Sequence, residues 1–116
     1  MPTEFTPTLT GLCRERGVRA SAAVTADDGT LIDSVLRVGD DGERVAALAA
    51  SLYRKARQSA LTAGMGDTTL LHLEAASGRL FVIGDEHVLL LVVTESAVNV
   101  GAVRVAMRAA LGSLVG

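Results

Sequence analysis

The sequence predicts an α/β (α+β) fold: one domain over residues 1–116, with the element order α-β-β-α-β-β-β-α around a five-stranded antiparallel sheet. Three observations carry this. Runs of small or β-branched residues are separated by short, Gly-containing turns, and three other segments repeat apolar residues every three to four positions. The run Val88-Leu89-Leu90-Leu91-Val92-Val93 is apolar on both alternating faces. Such a strand is buried on both sides, so it belongs at the sheet centre, with the terminal helices on one face and the long middle helix on the other.

Each element follows from local chemistry. Thr6-Pro7 reads as an N-cap followed by Pro at the first helical position, where a missing N–H costs nothing. Leu9, Leu12 and Cys13 follow at helical spacing, and Gly17 stops the helix after Arg16. Arg19–Ala26 and Thr30–Leu36 read as a β-hairpin about the turn Asp27-Asp28-Gly29. After a break at Gly39–Gly42, with Asp40 or Asp41 as cap, Glu43–Ala63 holds neither Pro nor Gly and reads as a helix. Val45, Leu48, Ala49, Leu52, Ala56 and Ala60 form one stripe on it; Ala46, Ala50, Tyr53 and Arg57 form a second. Two partly apolar faces exceed what one side of a sheet needs, which points to a second packing partner.

Gly64-Met65-Gly66 closes that helix. Three strands follow, Thr68–Ala75, Arg79–Ile83 and Val88–Thr94, joined by connections short enough for an antiparallel meander. Asn99 reads as the cap of the last helix, with Gly101 just inside it. Val100, Val103, Met107, Ala110, Leu111 and Leu114 repeat at helical spacing to its end near Leu114.

Composition narrows the function. The chain is 49% hydrophobic, 21% charged and 3% aromatic, with Phe5, Tyr53 and Phe81 its only Phe, Tyr or Trp residues. A core of Ala, Val and Leu suits close helix–sheet packing and offers no stacking platform for bases. The net charge of −2 argues against a phosphate-backbone footprint, so no nucleic-acid partner is expected. One cysteine, Cys13, allows no intrachain disulfide framework and is compatible with a reducing cytoplasm. No signal peptide pattern is present, and the longest apolar run falls far short of the ~20 residues of a membrane span. Ten Arg against one Lys, with abundant Ala and Val, resemble the codon usage of a GC-rich bacterium.

Catalytic and cofactor patterns are missing. The sole lysine, Lys55, follows Arg54 in mid-helix, so no Gly-Lys-Ser/Thr phosphate loop exists. His72, His87 and Cys13 show no metal-ligand spacing, and no Ser nucleophile elbow occurs. Glu86-His87 reads as a solvated turn pair, His72 as a structural residue facing away from Leu71 and Leu73, and Cys13 as a small buried hydrophobe. No catalytic residue, metal or cofactor is expected, and the chain does not read as an enzyme.

The ordered series of motifs resembles the roadblock/dynein light chain family, including its bacterial branch of Ras-like GTPase regulators of the gliding-motility type. The resemblance covers nearly the whole chain. It rests on Gly17-Val18 after a short helix, Asp28-Gly29, the Ala-rich helix Val45–Ala60 with Gly64-Met65-Gly66, and Leu71-His72-Leu73-Glu74. Gly78-Arg79-Leu80-Phe81-Val82, Leu89-Leu90-Leu91-Val92-Val93 and Asn99-Val100-Gly101-Ala102-Val103-Arg104 complete it. Val100 and Val103 replace the Leu more usual in the last segment, which leaves the capping logic intact.

The resemblance implies a cytoplasmic homodimer, or a heterodimer with a similar domain, whose sheets join edge to edge above paired middle helices. The sequence adds its own reason: Thr68–Ala75 lies at the edge of the meander, with no Lys or Pro to guard it. Leu48, Leu52, Tyr53, Ala56, Leu70, Leu71 and Leu73 are therefore the expected dimer contact. The resemblance further implies a Ras-like small GTPase as partner, with regulation of its hydrolysis or pure adaptor activity as the alternatives. Glu43, Arg44, Arg54, Lys55, Arg57 and Gln58 are the expected docking face, and Arg54 or Arg57 the arginine supplied in trans if one is supplied. A small-molecule sensor is a third reading, opposed by the scarcity of aromatic and convergent polar residues.

Overall fold

The computed structural model describes residues 3–35 and 41–115, and the elements occur in the predicted order. They are α1 (Thr6–Cys13), β1 (Val18–Thr25), β2 (Leu31–Val35), α2 (Gly42–Thr62), β3 (Leu71–Ala75), β4 (Gly78–Gly84), β5 (Val88–Thr94) and α3 (Val100–Val115). The sheet has five strands in the order β2-β1-β5-β4-β3, and every neighbouring pair is antiparallel. β5 is central, as its two-faced apolar run requires. Leu36, Gly39 and Asp40 lie outside the described residues.

Side-chain alternation along the strands makes two cores. Leu90 and Val92 of β5, with Ala23, Phe81 and Ile83, meet Leu9 and Leu12 of α1 and Val103 and Met107 of α3. Leu89 and Leu91, with Ala22, Val24 and Val82, meet Ala46, Ala49, Ala50 and Tyr53 of α2. Burying one such Leu or Phe stabilises the fold by about 1.5–3 kcal/mol, so β5, which feeds both cores, is the strand the domain can least lose. Asn99 caps α3 by accepting from the Ala102 amide at 3.0 Å. Asp41, rather than Asp40, caps α2, accepting from the Arg44 amide at 3.2 Å. At the far end of α2 the Gly64 amide donates to the Leu61 carbonyl and the Met65 amide to that of Ala60, closing a Schellman motif.

Four expectations are corrected. Thr6 is the first residue of α1, not its cap; Phe5 takes the cap position without a side-chain bond. The Thr6 hydroxyl instead donates to the Asp33 carboxylate, as does the Thr3 hydroxyl, tying the segment before α1 to β2. These two bonds hold the Asp33 carboxyl below its ordinary range. The helix ends at Cys13 and not at Arg16, because Arg14 and Glu15 already turn back onto the Gly11 and Leu12 carbonyls. Cys13 is half-buried, its Sγ 3.3 Å from the hydroxyl of Ser21, which is itself buried and donates to the Leu9 carbonyl at 2.8 Å. A polar pin therefore joins α1 to β1 where a purely apolar contact was expected.

The fourth correction concerns β3, which begins at Leu71 and not at Thr68. Asp67 is held by Arg57, and the Thr68 carbonyl accepts from the Tyr53 hydroxyl. Both tethers draw this segment toward α2 and away from the β4 ladder.

Candidate functional site

α2 rests on β1, β2 and β5, and its contact with the sheet is made of small residues. Ala46, Ala49 and Ala50 let it come close, and Gly29 of the β1–β2 turn presses against the same turns of helix. A Cβ at Gly29 would lie 3.0 Å from that of Ala50 and 3.2 Å from the Cα of Ala47, and its φ of +72° already favours glycine. The sheet-facing set is thus Ala46, Ala50 and Tyr53 of the second stripe, joined by Ala49. Of the rest of the first stripe, Val45 packs against this core, whereas Leu48 is 62% exposed and Leu52 37%, with Ala56 half-buried beside them.

The same side of the sheet stays partly open beyond α2. Leu71 and Leu73 alternate with the outward-facing His72 and Glu74 and pair with Val82 and Leu80 across β4. Leu71 is half-buried, and Leu73 is 45% exposed. Among the described residues β3 ends the sheet, with no strand at its outer edge. The opposite edge differs: every residue of β2 is half-buried, with α1 and α2 both lying against it. Leu48, Leu52, Ala56, Leu71 and Leu73 therefore form apolar surface beside a bare strand edge, whereas Leu70, expected with them, is half-buried against the core on the opposite face of the sheet. Tyr53, expected with them, belongs to the protomer's own core: it is 5% exposed, and its hydroxyl donates to the Thr68 carbonyl at 3.1 Å. Burial, then the Asp67 charge, pushes the phenol above its ordinary value.

The charged face of α2 divides as well. Glu43, Arg44, Lys55 and Gln58 are exposed. Arg54 donates to the Ala26 carbonyl at 3.3 Å, and Arg57 grips Asp67 through two bonds at 2.7 and 3.2 Å. Arg57, Asp67, Thr68 and Tyr53 face Gly84, Asp85 and Glu86 across a polar cleft of about 360 Å³. His87 is exposed in the β4–β5 turn beside Glu86, and no metal-ligand set occurs among the described residues.

One cluster escaped the sequence reading. On the face of β3 opposite Leu73, the His72 ring stacks on Phe81 with centroids 4.4 Å apart and planes 12° from parallel. Arg79 places Nη1 3.1 Å from His72 Nε2 and 2.8 Å from Glu74 Oε2, while its Nε donates to the Ser96 carbonyl. The signal was available: the two-residue turn Ala76-Ser77 fixes Ala75 opposite Gly78, hence Glu74 opposite Arg79 and His72 opposite Phe81.

Among the described residues these features define a small α/β domain with two cores, an exposed sheet edge at β3 and a helix stripe left uncovered. The Roadblock/LC7 domain pattern matches residues 7–95, and the chain belongs to that family. An uncharacterized protein of Methanocaldococcus jannaschii is 30% identical over 102 residues, 88% of this chain and 89% of that protein. Among solved structures, a Roadblock/LC7 domain from Streptomyces avermitilis superposes with a TM-score of 0.88 at 21% identity, over 97% of this chain and 95% of that one. MglB of Myxococcus xanthus does so with a TM-score of 0.84 at 22% identity, over 97% and 94%. At these identities the structural likeness establishes the shared fold. Among the described residues no helix is long and apolar enough to cross a membrane.

Proposed function

We propose that this chain works as a dimer that binds a Ras-like small GTPase, as a regulator or adaptor of it. The observation that supports this most is the apolar surface of Leu48, Leu52 and Leu73 beside the unpaired edge of β3. In the dimer β3 meets its symmetry mate, Leu71 and Leu73 line the seam on the α2 side, and the Leu48–Leu52–Ala56 stripes of two α2 helices pack beneath it. Family membership and the fold shared with MglB favour a GTPase as the further partner. The face offered to it is the exposed run Glu43, Arg44, Lys55 and Gln58 of α2.

An adaptor that leaves hydrolysis unchanged is the second reading, and one observation favours it. Arg54 and Arg57, the arginines best placed to act in trans, are held by Ala26 and Asp67. The deciding measurement is single-turnover GTP hydrolysis by a small GTPase encoded beside this protein, with the native chain and with an Arg44→Glu/Lys55→Glu variant. Acceleration by the native chain alone supports regulation. Binding without acceleration supports the adaptor, and no binding by either chain sinks both readings.

A further inference from the structure

We infer that the domain pairs with a second copy of itself in one register, with the twofold axis at Leu73 and His72 opposite Glu74 of the other copy. The inference rests on the dimer reading above and adds to it the residues that choose the partner. Packing both α2 helices on the same side of a continuous sheet restricts the registers. Directly opposed residues must then share a face, so Leu73 can oppose only positions of its own parity. An axis at Glu74 opposes two carboxylates at the seam. An axis at His72 opposes two imidazoles and sets Glu74 against Leu70. An axis at Leu73, the midpoint of the five-residue strand Leu71–Ala75, pairs every residue of it. Leu73 then meets Leu73 on the α2 side, and His72 meets Glu74 twice on the other.

The side chains are prepared for that arrangement. Arg79 can only donate, so at 3.1 Å it fixes His72 Nε2 as acceptor and leaves the proton of the neutral ring on Nδ1. Stacking on Phe81 holds the ring plane. Glu74 binds Arg79 through Oε2, which leaves Oε1 to accept from His72 Nδ1 of the other copy. Cβ atoms of directly opposed residues stand about 4.5–5.5 Å apart, within reach of such a bond. The seam thus carries two identical donor–acceptor pairs, each backed by an arginine, and a related chain without this His–Glu spacing would not match it.

His72 and Glu74 are both exposed, so substitution at either leaves the protomer folded, which circular dichroism checks. Self-association is read by sedimentation equilibrium on the full chain. His72→Glu sets a second carboxylate against Glu74, and Glu74→Lys sets an ammonium against His72. Each variant is expected to dimerise about tenfold or more weakly than the native chain. Mixed in equal amounts they are expected to form a heterodimer. The carboxylate introduced by the first substitution then meets the ammonium introduced by the second, while the retained Glu74 of one chain still meets the retained His72 of the other. Either variant retaining native self-association, or a mixture that stays dissociated, overturns the register while the dimer stands. A native chain that sediments as a monomer overturns the dimer itself.

Discussion

The two faces of the sheet are closed by different means. Under α1 and α3 the core is built from large side chains, with Phe81, Leu9, Leu90 and Met107 fully buried. Under α2 the helix contributes three alanines and one tyrosine, and the packing relies on close approach. Large side chains fill the first layer over β1, β4 and β5, and at β3 the His72 ring extends it over Phe81. Close approach on the second buries β1, β5 and Val82 of β4 but leaves leucines on both α2 and β3 exposed. Residue size on a helix therefore decides whether a sheet face is complete within the protomer or is left to be completed from outside.

Several substitutions would break or sharpen this contrast. Phe81→Ala should cost the most, about 3–5 kcal/mol in urea denaturation, since the filled face has no means of collapsing around the hole. Gly29→Ala should cost about 2 kcal/mol, because the added methyl strains the turn and pushes α2 off the alanines; a neutral result would mean the α2 layer is not set by close approach. Asn99→Ala should cost about 1 kcal/mol by uncapping α3, with the same assay as the check. Leu52→Asp should leave protomer stability within about 0.5 kcal/mol, as expected of a surface position, and yet shift the mass seen by light scattering toward 12.0 kDa.

The smallest effect is expected from pH. Hydrogen bonds from Thr25 and Thr30 lower the Asp28 carboxyl to about 2, and Asp33 is lowered by Thr6 and Thr3. Both groups have folded values below their unfolded ones, so their stabilising effect is present above about pH 4 and is lost as the pH falls toward 2. Denaturation between about pH 5 and 2.5 should show this decline, and Asp28→Asn together with Asp33→Asn should flatten it.

The element order, the central place of β5, the two-sided layering and the Asn99 cap were legible because periodicity and capping are local properties. Which α2 stripe meets the sheet was not, since both stripes are apolar and only the close fit of Gly29 against Ala47 and Ala50 decides between them. Tyr53 was misplaced for the same reason: the Thr68 carbonyl that fixes its hydroxyl lies beyond the helix, where no periodicity reaches. The Asp67 and Thr68 tethers that shorten β3 are likewise contacts between distant segments. Within the proposed docking face, sequence spacing grouped Arg54 and Arg57 with Arg44 and Lys55, whereas the positions of Ala26 and Asp67 separate them.

The central position of β5 also governs how the domain can assemble. Ala23 of β1 lies opposite Leu90, so the first strand has its main neighbour in the last one. The meander β3–β4–β5 closes through short turns, but β1, β2 and the α1 that covers them cannot join it until β5 is available. Closing so long a loop carries an entropic cost before any contact offsets it, which favours slow, late docking of the α1–β2 segment. During synthesis that segment leaves the ribosome before the rest of the domain and waits longest for its place.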